Sequence, residues 1–85
     1  MRTVRVIGLG LMGTNLGLKL LSQGVKVYGE DTNELSLNRA LHLGFEANNA
    51  DEVVDLTILA MPINRIIASL KSKKIITNTK SILDI

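Results

Sequence analysis

The stretch VIGLGLMG, residues 6–13, decides how this 85-residue chain is read. It places Gly8, Gly10 and Gly13 among apolar residues, where a strand or a core helix needs side chains to pack. Just before it, TVRVI at residues 3–7 is short and β-branched, and glycine ends it, which predicts a strand. After it, residues 12–23 carry Met12, Leu16 and Leu20 at four-residue spacing with Leu21 beside them, and Gly24 follows. That is a helix face with a glycine stop. The glycines have the spacing G-x-G-x-x-G and lie where strand passes into helix, the context this motif requires. Gly8 permits a tight turn, Gly10 lets a pyrophosphate approach the backbone, and Gly13 lets the helix lie close to the strand. The free amides and partial positive charge of a helix N-terminus suit a phosphate. The alternative is a turn that only packs a helix, and Gly17 is a second flat spot on the same helix.

Downstream, VKVYG at 25–29 reads as a second strand. Asn33 reads as an N-cap, Glu34 suits the first turn, Leu37, Ala40 and Leu41 share a helix face, and Gly44 ends it. FEANNADE at 45–52 reads as a connection with a short strand or a single turn. VVDLTILAM at 53–61 is nearly continuous apolar sequence, as in a central parallel strand covered on both faces, and Pro62 ends it. Ile63, Ile66, Ile67 and Leu70 predict a helix over 63–70, KIITN at 74–78 a last strand, and Ser81 the start of a final helix. Alternation of this kind implies parallel strands with right-handed crossovers. The expected fold class is α/β: one domain over residues 1–85, a Rossmann-like doubly wound parallel sheet in three layers, with its four main strands in order 2-1-3-4. Both sheet edges are open and the fold is expected to be incomplete at the C-terminus.

A second half of the fingerprint is an acid at the end of the second strand. Asp31 fills that place and can accept both hydroxyls of a ribose, whereas a 2′-phosphate there would be repelled. Thr32 and Asn33 follow where NADP sites usually place arginine, which favours NAD over NADP. Glu30 either shares this role or is simply solvated, and Asp31 has turn chemistry before Asn33 as its alternative. Ligands of open parallel sheets bind beyond the carboxyl ends of strands at the switch point. Ala60 and Met61 are therefore expected on the nicotinamide side, with core filling as the alternative for Met61. The candidate cofactor-binding residues are Gly8, Leu9, Gly10, Leu11, Met12, Gly13, Asp31, Thr32, Ala60, Met61 and Pro62.

Composition is globular, with 46% hydrophobic and 21% charged residues. The chain lacks cysteine, which excludes disulfides, thiolate metal sites and a thiol nucleophile. The longest uncharged run, residues 6–18, is too short to span a bilayer, and the N-terminus does not read as a signal peptide. A soluble, cytoplasmic protein with no membrane partner is expected. Net charge is +2. SLKSKK at 69–74 reads as solvated lysines, and a single Tyr and a single Phe offer no stacking platform, so no nucleic-acid partner is expected. His42 closes the second helix, far from the glycine turn. Neither a carboxylate pair nor a Ser-His arrangement offers a general base.

Residues 4–44 resemble the opening of prephenate dehydrogenases, which typically read IGLGLIGGSLA, then a VxGYDRN-like strand end, then a helix closing in ALxLG. LTILAMP resembles that family's VILAVP, and TNTKSILDI its TDxGSVK segment. The resemblance covers nearly the whole chain but only the family's N-terminal cofactor domain. It implies oxidative decarboxylation of prephenate to 4-hydroxyphenylpyruvate with NAD or NADP in tyrosine biosynthesis. It also implies a C-terminal helical domain that supplies the catalytic histidine, the contacts to a small-molecule substrate and a homodimer. Ser81 matches a serine that lies near the nicotinamide and supports catalysis. Thr32 replaces a frequent Arg, Lys80 stands where the family has Gly and Leu83 where it has Lys. The segment between Gly44 and Asp55 is shorter than in most relatives, as though a helix were missing. The GLGxMG start also occurs in 3-hydroxyisobutyrate dehydrogenase-like enzymes and pyrroline-5-carboxylate reductases. A third possibility is a non-enzymatic dinucleotide sensor like the regulatory domains attached to potassium transporters.

Overall fold

The alternation in TVRVI sorts the sheet into two faces: Val4 and Val6 point to one, Arg5 and Ile7 to the other. In the computed structural model, which describes residues 2–61, 75 and 77–85, this segment is β1 (Thr3–Ile7). It is followed by α1 (Leu11–Ser22), β2 (Lys26–Glu30), α2 (Glu34–His42), β3 (Glu46–Ala47), β4 (Val54–Leu59) and β5 (Thr79–Asp84). All pairings are parallel and the order is β3-β2-β1-β4-β5. The expected 2-1-3-4 arrangement is kept, and the two-residue β3 extends it beyond β2.

α1 and α2 cover one face. Val4, Val6, Leu9, Val27, Ala40, Phe45 and Ile58 form its buried core, with Leu16, Leu20, Leu21 and Leu37 packed against them. The ring of Phe45 lies so close to α1 that a Cβ on Gly17 would come within 2.1 Å of it, so the flat spot in the sequence is the seat of an aromatic ring. α2 begins as its sequence indicates, with the Asn33 side chain accepting from Ser36 N at 3.0 Å.

The other face is built differently. Ile7, Leu59 and Ile75 make a small apolar cluster. Beside it lies Arg5, completely buried at the centre of β1. The chain crosses this face between β3 and β4 in residues 48–53, with no helix. A helix satisfies its own carbonyls, whereas a short crossover cannot. Arg5 does so instead. Its Nε donates to Asn48 Oδ1 (2.6 Å), one terminal nitrogen to Asn49 O (2.9 Å) and Glu52 O (2.7 Å), and the other to Ile75 O (3.3 Å) and Asn78 O (3.2 Å). Burial pulls its pKa below the ordinary arginine value, opposed by the charges of Glu52, Tyr28 and Glu30. The Tyr28 hydroxyl completes the group by donating to Glu52.

Two expectations at the carboxyl end are corrected. The strand expected over 74–78 is not found at its described residues: Ile75 and Thr77 have helical backbone, and the strand is β5. Ser81 therefore lies inside a strand and starts no helix. The β-branched run of 75–77 invited the strand reading, but Arg5 takes the carbonyls of Ile75 and Asn78, and Asn78 O also accepts from Val54 N. The ladder with β4 begins only at Thr79, and tertiary bonding overrides local preference. The helix expected over 63–70, and with it the third layer, lies outside the described residues, as does Pro62.

Candidate functional site

At the carboxyl end of β1 the chain turns sharply. Gly8 has φ +97, a conformation that side chains disfavour, and its N–H donates to Glu30 O at 2.9 Å. A Cβ there would also lie 2.8 Å from Ala60 O. One on Gly13 would lie 2.1 Å from Gly8 O, so α1 sits directly against the turn. Gly10 differs: nothing lies within 4 Å of the position its Cβ would take. The fold requires the first and third glycines and makes no demand for the second. The space a side chain would fill at Gly10 is left open in front of α1. Gly10 is the N-cap of α1 and brings no side-chain cap, and no acidic residue occupies the first turn. The first amides of α1 therefore face that space with the positive end of the helix dipole.

Asp31 closes the turn from the side. Its Oδ2 accepts from Leu9 N at 2.7 Å and its Oδ1 from Asn33 N at 2.8 Å, so the carboxylate ties the turn to the start of α2. Each oxygen keeps acceptor capacity after one such bond. The two roles weighed for Asp31, turn chemistry and ribose acceptance, are thus compatible in one side chain. Thr32 is exposed beside it.

The remaining candidates separate into groups. Leu9 is fully buried in the helical-face core, and its N–H is already given to Asp31, so its part in the turn is internal. Leu11 and Met12 project into solvent, 83% and 63% exposed, at the mouth of the turn. Ala60 follows β4, and its N–H donates to Ile7 O at 2.8 Å. Met61 is half-buried against the Ile7 cluster and adjoins Gly8. A groove of about 420 Å³ runs from Gly10 and Leu11 along Thr14, Asn15 and Leu18 to Arg39 and Leu43. Ser81 is not brought to this group: it pairs with Leu56, level with Val4, three residues before the carboxyl end of β5. His42 is exposed, its ring Nδ1 2.8 Å from Asn38 O.

Two residues near the site went unmarked in the sequence, Arg5 and Asn48. Their signals were present: a lone charge inside a strand that should be covered on both faces, and a crossover too short for a helix. Among the described residues no group of His, Cys, Asp and Glu could hold a metal, and no helix is long and apolar enough to cross a membrane.

The family described as the NAD binding domain of 6-phosphogluconate dehydrogenase matches residues 3–82. The chain belongs to it. The chain is also 43% identical, over 63 residues or 73% of its length, to "Probable prephenate dehydrogenase NovF" of Streptomyces niveus. It spans 17% of that protein's length. As an NAD-binding dehydrogenase domain it takes a nicotinamide dinucleotide, and the residues present fit one: the opening at Gly10 admits a pyrophosphate that any side chain there would obstruct.

Proposed function

We propose that this chain is the cofactor domain of a prephenate dehydrogenase-like oxidoreductase that uses NAD in preference to NADP. The observation that carries the cofactor reading is the asymmetry of the three glycines, in which Gly10 alone faces open space. The amides of Gly10, Leu11 and Met12 receive the pyrophosphate, and Asp31 accepts the ribose hydroxyls. With Asp31 at the strand end and no arginine at 32 or 33, a 2′-phosphate is disfavoured. Ala60 and Met61, beyond β4, border the nicotinamide side, with Pro62 next in the chain. The dinucleotide supplies a hydride acceptor. This chain's residues bind and orient it. Residues for substrate, catalysis and dimerisation belong to the helical domain that the family resemblance implies. The intact enzyme is cytoplasmic, and this domain alone binds cofactor without turnover.

Preference for prephenate rests on the 43% identity to the Streptomyces niveus protein together with LTILAMP and TNTKSILDI. The family match fits a second reading equally well, a hydroxy-acid dehydrogenase of the 3-hydroxyisobutyrate type. The full-length gene product assayed with NAD separates them: prephenate-dependent NADH formation is expected, and turnover of 3-hydroxyisobutyrate alone would overturn the assignment.

A further inference from the structure

We infer that Asn48 is a positioning residue for the adenosine half of the cofactor, acting from the opposite face of the sheet through Glu30. This rests on the reading of the turn as a dinucleotide site. Asn48 stands just past β3 and is half-buried. Its Oδ1 accepts from Arg5 Nε at 2.6 Å, and its Nδ2 donates to Glu30 Oε2 at 3.0 Å. Only one orientation of the amide serves both, because a guanidinium solely donates and an ionised carboxylate solely accepts. Its backbone N–H is tied to Gly29 O at 3.2 Å. The amide is thus fixed at both ends.

Glu30 is the last residue of β2 and immediately precedes Asp31. Its carbonyl accepts from Gly8 N, so the backbone of Glu30 is part of the glycine turn while its carboxylate is held by Asn48. Two carboxylates at one strand end repel each other and compete for the same ligand hydroxyls. Asn48 draws one of them toward the buried guanidinium, where its charge is offset, and leaves Asp31 as the acid that meets the ribose. A residue with no contact to the cofactor thereby sets which carboxylate the cofactor finds.

The test compares AMP, which carries the adenosine, with inorganic pyrophosphate, which probes only the turn, by calorimetric titration of the chain. Asn48→Ala is expected to weaken AMP about three- to tenfold, the scale of one hydrogen bond, and to leave pyrophosphate unchanged. Asn48→Asp keeps an acceptor for Arg5 but loses the donor to Glu30, and is expected to show the same loss with an unchanged circular-dichroism spectrum. Adding Glu30→Gln to either variant removes the released charge, and AMP affinity is expected to return to within about twofold of the unsubstituted chain. Unchanged AMP affinity in Asn48→Asp, equal losses for both probes, or no recovery in the double variant would overturn the inference. Failure of the unsubstituted, folded chain to bind AMP and NAD at all would overturn the dinucleotide reading itself.

Discussion

The two faces of the sheet are held by opposite chemistry. Toward α1 and α2 the strands present Val4, Val6, Val27 and Ile58, and the contact is apolar. Toward the crossover at 48–53 they present Arg5 and Tyr28, and the contact is a hydrogen-bonded network around one buried charge. The difference follows from what covers each face. Helices arrive with their backbone satisfied and ask the sheet only for apolar surface. A six-residue crossover arrives with carbonyls still to be paired, and a guanidinium with five N–H donors pairs them. The cofactor end of the molecule draws on both faces, because α1 brings its N-terminus to Gly10 from one and Asn48 reaches Glu30 from the other.

The largest expected effect falls on the polar face. Arg5→Leu strips the donor from Asn48 Oδ1 and from four carbonyls, and unfolding in urea is expected to show a loss of about 3–5 kcal/mol. If the variant were as stable as the original, the crossover would not depend on this residue. On the helical face, Gly13→Ala drives a Cβ against Gly8 O and is expected to cost about 3 kcal/mol by the same measurement. A negligible cost would mean that α1 can lift from the turn.

Asp31→Ala removes the bonds to Leu9 N and Asn33 N and is expected to reach the cofactor as well. The expected loss in NAD binding free energy is about 1–3 kcal/mol by calorimetry, the cost of leaving polar partners unmatched. Unchanged affinity would confine Asp31 to its bonds with Leu9 and Asn33. The smallest effect is electrostatic and lies at the far end of the strands. Asp55 accepts from the amides of Arg2 (2.8 Å) and Thr3 (3.1 Å) and pairs with Lys80 (3.3 Å). These hold its pKa at about 2, below the usual 3.8. Because the folded value is the lower, the stabilisation is complete above about pH 4 and fades as pH falls toward 2. The gap in urea midpoint between the protein and Asp55→Asn is expected to close over that interval. A gap independent of pH would place the effect elsewhere.

Much of the fold was legible because local signals agreed with tertiary ones. TVRVI became β1, Asn33 caps α2, and the glycine spacing marked the turn. What escaped were the places where distant groups decide. β-Branched residues at 75–77 suggested a strand, but bonds from Arg5, seventy residues earlier, claimed the carbonyls. Leu9 looked like part of a ligand loop, yet its amide belongs to Asp31 and its side chain to the core. The spacing G-x-G-x-x-G gave its glycines equal weight. Only the backbone geometry separates the two that the fold needs from the one it leaves open.

That separation is the central claim, and one paired measurement tests it. NAD is titrated by calorimetry into the chain and into Gly10→Val, with urea midpoints recorded for both. Matching midpoints with NAD binding lost in the variant are the expected result, because the valine side chain enters open space that the pyrophosphate needs. Equal NAD affinity in the two proteins would contradict it and leave the glycine turn a packing device.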